Sequence, residues 1–115
     1  MAERPQEQPS PEEQRKMEQM QKKLESLQGS LQEVFGKMGP LQERMQKLQE
    51  KAQAGDESAA AELQKLQKEL VGLQREALSI LEQMRQAYAE MGREEEFHNS
   101  QLGEYWQQFQ AQLEG

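Results

Sequence analysis

Glu95 and His98 stand two residues apart, the Glu-x-x-His spacing with which a helix offers a carboxylate and an imidazole to a metal ion. Carboxylate-bridged metal bundles need two such motifs, with further carboxylates facing inward from other helices. Only one copy is present, so a metal centre here would require two chains. His98 is the only histidine, Asp56 the only aspartate, and there is no cysteine. With one His, one Asp and no Cys a nucleophilic triad is not plausible, and thiolate metal sites and disulfides have no residues to build them. Glu94-Glu95-Glu96 reads more simply as a solvated acidic helix end. The expectation is a protein that is not an enzyme, with no cofactor, no metal and no small-molecule substrate.

The second acidic group is Gly55-Asp56-Glu57, placed between two long apolar repeats. At the end of an antiparallel hairpin, these residues resemble the acidic tips of transcript-cleavage factors, whose coiled coils present carboxylates to a catalytic magnesium inside an RNA polymerase. The resemblance covers a few residues, and the globular docking domain of those factors is missing here. It implies a regulator of a nucleic-acid polymerase. A helix cap accounts for Asp56 and Glu57 equally well.

Both groups depend on two helices to position them. Met17, Met20, Leu24, Leu27, Leu31, Val34, Met38, Leu41, Met45, Leu48 and Ala52 follow one another at alternating steps of three and four, as do Leu63, Leu66, Leu70, Leu73, Ala77, Ile80, Met84, Ala87 and Met91. With these as heptad positions a and d, position g reads Lys16, Lys23, Ser30, Lys37, Arg44, Lys51 in the first run. In the second it reads Glu62, Glu69, Glu76, Gln83, Glu90. One edge is basic and the other acidic. Antiparallel helices bring g beside g′, so the pattern predicts an antiparallel coiled-coil hairpin.

A turn between Gly55 and Asp56 sets the register. Leu48 then faces Leu63, Leu41 faces Leu70 and Leu31 faces Ile80, and the g positions pair Lys51 with Glu62, Arg44 with Glu69, Lys37 with Glu76 and Lys23 with Glu90. Exposed ion pairs are worth about 0–1 kcal/mol each, against roughly 1.5–3 kcal/mol for a buried Leu, Ile or Met. The seam should hold the hairpin, and the charges should select its orientation.

Element boundaries follow from local chemistry. Residues 1–9, with Pro5 and Pro9, are expected to be a disordered tail. Ser10-Pro11-Glu12-Glu13 forms a capping box with proline in the first turn, opening helix 1 over 10–54. Pro40 interrupts it chemically, yet the three-four rhythm passes through, which favours a helix kinked near 36–40 over two separate ones. Residues 55–58 form the turn and helix 2 spans 59–97, with a break somewhere between Gly92 and Asn99. Residues 98–115 form a short amphipathic helix capped by Asn99 or Ser100.

Val71, Leu78, Leu81 and Tyr88 widen the apolar stripe of helix 2 beyond the seam, and Phe35 of helix 1 lies on the same side. Two helices cannot bury that face by themselves. Leu102, Trp106, Phe109 and Leu113 repeat at steps of four, three and four, with Tyr105 beside them. This segment either folds back to complete a three-helix bundle, meets a second copy, or docks on another protein. These ten residues are the candidate protein-binding set.

The fold class is accordingly all-α, a long antiparallel helical hairpin with a short aromatic-rich third helix. A net charge of −7 disfavours general affinity for nucleic acid or anionic membrane. No run resembles a membrane span or a signal-peptide core, so a cytoplasmic location is expected. The function that fits is a non-enzymatic structural or adaptor protein acting through protein contacts or self-association. The alternative is a holdase-like chaperone or secretion-type helper, to which seven Met residues would lend adaptable surface.

Overall fold

The computed structural model describes residues 10–114, so the expected tail at 1–9 lies outside the described residues. Four helices follow in order: α1 (Pro11–Gln53), α2 (Glu57–Glu90), α3 (Glu94–His98) and α4 (Gln101–Glu114). Among the described residues there is no strand. The first two helices pack as an antiparallel hairpin, and α3 and α4 fold back against α2.

The start of α1 is fixed reciprocally. Ser10 Oγ accepts from Glu13 N at 3.2 Å, while Ser10 N donates to Glu13 Oε1 at 3.0 Å. The helix then runs unbroken through Pro40 for 43 residues, about 65 Å at about 1.5 Å per residue. Proline withholds one hydrogen bond from the ladder, and the apolar seam on either side of it keeps one phase.

Gly55 and Gly92 end α1 and α2 by the same device. Both have positive φ, 102° and 73°. After α1, Gly55 N donates to Ala52 O at 3.0 Å and Asp56 N to Lys51 O at 3.1 Å; after α2, Gly92 N donates to Ala89 O at 3.0 Å and Arg93 N to Tyr88 O at 2.8 Å. This is the Schellman arrangement, which needs a left-handed residue just past the last turn and so favours glycine. Asp56 caps α2 by accepting from Ala59 N at 3.1 Å. Helix 2 therefore takes in Glu57 and Ser58, which the sequence assigns to the turn, and stops at Glu90, seven residues short of residue 97. The tail forms two helices and not one. Neither Asn99 nor Ser100 caps α4 through its side chain; the Ser100 hydroxyl instead donates to Phe97 O at 2.7 Å.

The core lies in the half of the hairpin away from the turn. Leu31, Val34 and Met38 of α1, Ala77, Ile80, Leu81 and Met84 of α2, Phe97 of α3 and Phe109 of α4 form one buried cluster. Toward the turn, Leu41, Met45, Leu48, Leu63 and Leu70 are only half-buried, with Leu66 and Ala59 the exceptions. Two helices shield a seam from two directions, and full burial needs a third.

Candidate docking faces of the hairpin

A two-helix seam has two open sides, and heptad position tells them apart. On the e side, α1 shows Phe35, Gln42 and Gln49, while α2 shows Gln67, Gln74, Leu81 and Tyr88. Helix α4 lies where those positions are apolar. Phe35 meets Tyr105 edge-on at 5.1 Å between centroids and Phe109 at 6.1 Å. Leu81 and Phe109 are buried, with Leu78, Tyr88, Leu102, Tyr105 and Trp106 packed around them. A bond of 2.9 Å from Gln74 to Gln112 marks the level where the cover ends.

Eight of the ten candidate residues thus belong to, or pack against, the protein's own core. Leu113 is half-buried near the end of α4, and Val71, one turn closer to the hairpin turn than Gln74, is 38% exposed. Leu81, on the face that two helices cannot bury by themselves, is 0% exposed in the cluster that Phe109 of α4 completes.

Phe97 is the residue that sequence reasoning passed over. Assigned to the tail of a continuous helix, it sits instead on the single turn of α3, wholly buried between Tyr88 at 5.9 Å and Trp106 at 6.3 Å. Its place follows from the break at Gly92, which turns the chain across the end of α2. Gly103 permits the next step, because a Cβ there would stand 2.6 Å from Phe97 O and 2.7 Å from His98 Cα. The small residue lets α4 cross directly over α3.

A charged lattice roofs this joint. Arg85 donates from Nε to Glu82 Oε1 at 2.8 Å and from Nη2 to the same oxygen at 2.6 Å, and from Nη1 to Glu94 Oε2 at 2.9 Å. His98 Nε2 lies 3.3 Å from that Glu94 oxygen. The imidazole, first, and the Arg85 guanidinium hold the Glu94 carboxyl below its ordinary pKa, while Glu82 foremost raises that of Arg85. The guanidinium also lies over Trp106, 5.7 Å from the ring centroid, and His98 meets the same ring at 5.5 Å. Trp106 Nε1 is buried without an acceptor. His98 consequently pairs with Glu94 and not Glu95, and its carboxylate is shared with an arginine. The Glu-x-x-His reading gives way to an ion-pair latch across α2, α3 and α4; among the described residues no three metal-ligating side chains gather.

The g side is open along the hairpin. Two adjoining clefts lie on it, about 390 Å³ lined by Lys37, Leu41, Glu69, Gly72, Leu73 and Glu76, and about 370 Å³ reaching from Lys37 and Glu76 to Leu27, Ser30, Glu33, Val34, Ile80 and Gln83. Seam residues form the floor and g residues the rims. Lys37 with Glu76, and Ser30 with Gln83, share these clefts as the register requires.

Direct ion pairing between the rims differs from expectation. Among the described residues the single α1–α2 salt bridge joins Arg44 to Glu62 at 2.8 Å, one heptad nearer the turn than Glu69. None of the pairs Lys51–Glu62, Arg44–Glu69, Lys37–Glu76 and Lys23–Glu90 closes. Exposed pairs gain too little to immobilise two long side chains, so the apolar seam sets the register without them.

No protein-family model, curated protein or solved structure matches the chain. Among the described residues no helix is long and apolar enough to cross a membrane.

Proposed function

We propose that this chain is a non-enzymatic structural or adaptor protein that binds protein along the g side of its hairpin. The observation that supports this most directly is the groove itself. A floor of seam residues, half-buried Leu27, Leu41 and Leu73 with buried Val34 and Ile80, runs between a basic and an acidic rim, and the aromatic helix that could have covered it is engaged on the opposite side. A helix or helical hairpin with complementary edges matches such a face in shape and chemistry.

The chaperone reading draws less support. Met38 and Met84 are core residues, and among the described residues Met17 is the one methionine in the large exposed hydrophobics. The polymerase reading rests on Asp56, whose carboxylate is engaged as the cap of α2.

The test is site-specific photo-cross-linking in the source cell. A photoreactive residue in place of Lys37 or Leu41, on the groove, is expected to give discrete protein adducts. One in place of Glu43, on the outer surface of α1, is expected to give few. Equal yields from both surfaces would sink the assignment of the groove.

A further inference from the structure

We infer that the occupant of the groove is a second copy of this chain, packed face to face with both hairpin turns at the same end. This rests on reading the g side as a protein-docking face and names the partner.

The g-position charges are self-complementary in one orientation only. At the g positions the basic rim belongs to α1 and the acidic rim to α2, with Glu33 of α1 an acidic exception among the residues lining the clefts. A two-fold axis parallel to the hairpin lays α1 of each copy over α2 of the other at the same level. Lys37, Arg44 and Lys51 then meet Glu76, Glu69 and Glu62 of the second copy, and the uncharged Ser30 meets Gln83. A two-fold axis across the hairpin would instead stack α1 on α1, bringing lysine stripe onto lysine stripe, which is repulsive. The rims are also free to engage: of the rim charges only Arg44 and Glu62 are joined among the described residues, where Lys37, Lys51, Glu69 and Glu76 have no ion-pair partner.

Shape and size agree. Pro40 and Gly72 lie at one level on this side, and Gly72 has nothing within 4 Å of where a Cβ would be, so the two copies can approach closely there. The face from Lys23 to Lys51 is about 28 residues, roughly 40 Å long, and two helices wide at about 10 Å each. That is on the order of 800 Å² per copy, the size of a standard stable interface. Half-buried Leu27, Leu41 and Leu73 would line its centre above the buried Val34 and Ile80, and α4, on the far side of each hairpin, stays clear of it.

The test separates contacts within a chain from contacts between chains. One variant carries Lys37→Glu, Arg44→Glu and Lys51→Glu; another carries Glu62→Lys, Glu69→Lys and Glu76→Lys. Each alone has rims of a single sign over residues 37–51 and 62–76 and is expected to run as a monomer in sedimentation analysis. An equimolar mixture is expected to form a one-to-one heterodimer, although no rim contact within either chain has been restored. Wild type is expected to be a dimer of the 13.4 kDa chain, weakened on the order of tenfold at about 1 M salt. A nitroxide on the exposed Ser58, in otherwise unaltered chain, is expected to report a partner label within about 30 Å, given helix diameters of about 10–12 Å. A wild-type monomer up to roughly 100 μM at low salt, dimers persisting in both single-sign variants, or Ser58 labels far apart would each overturn the proposal. Groove cross-links to a different protein alongside a wild-type monomer would retire the dimer and leave the docking face standing.

Discussion

The half of the hairpin near the turn and the half near its open end are built from the same heptads and reach different degrees of burial. Leu41, Met45, Leu48, Leu63 and Leu70 stay half-buried, whereas Leu31, Val34, Ala77, Leu81 and Met84 are 0–4% exposed. What distinguishes them is the e edge. Phe35, Leu81 and Tyr88 attract α4 onto the open end, while Gln42, Gln49 and Gln67 leave the arm as two bare helices. A seam supplies register and direction, and a third surface supplies most of the dryness on which hydrophobic stabilisation depends.

The sharpest way to break this contrast is to empty the core where three helices meet. Phe97→Ala is expected to cost about 3–5 kcal/mol in urea or thermal unfolding, and Leu48→Ala in the arm about 2 kcal/mol or less. Equal losses would mean that the two halves are not differently packed. Glycine substitutions give a smaller and more selective effect. Gly103→Ala forces a methyl group against the Phe97 and His98 backbone, so it should destabilise by about 1–3 kcal/mol and loosen α4 in hydrogen exchange. Gly36→Ala, with open space around it, is expected to stabilise α1 by up to about 1 kcal/mol.

Trp106→Phe should fall below about 1.5 kcal/mol, because it removes a buried N–H that has no acceptor and so offsets part of the lost ring area. A cost as large as that of Phe97→Ala would show that the indole N–H does useful bonding. The smallest effect concerns acid. Glu94 has its pKa depressed by His98 and Arg85, so its stabilising contribution is present above the ordinary carboxylate value of about 4.3 and disappears as pH falls through the lower folded value. The stability difference between wild type and Glu94→Gln should persist at about pH 5 and vanish below the carboxylate range. A difference unchanged in strong acid would remove Glu94 from the latch.

Much of the hairpin was legible because its signals are local. The capping box at Ser10, the stop at Gly55 and the cap at Asp56 each involve residues within one turn of one another. Gly92 carries the same stop signal as Gly55 and was legible in principle, yet the acidic run after it reads as continuing helix. The latch was harder to see: Arg85 lies one heptad on from Leu78, at the edge of the face that α4 covers, and nothing in its own heptad announces that Glu94 and Trp106 return to it. The rim charges misled in detail, since spacing suggested several ion pairs and one forms, a heptad away.

By itself the sequence determined two long helices, their antiparallel sense and the place where the chain turns, because heptad spacing and glycine backbone freedom act over a few residues and leave few alternatives. Only the tertiary structure decided that Phe97 goes inside, that α4 closes the e side, and that the charged groove stays open. Those outcomes turn on burial between segments distant in the chain and on exposed charges worth about 1 kcal/mol or less apiece, a scale on which local pattern cannot choose.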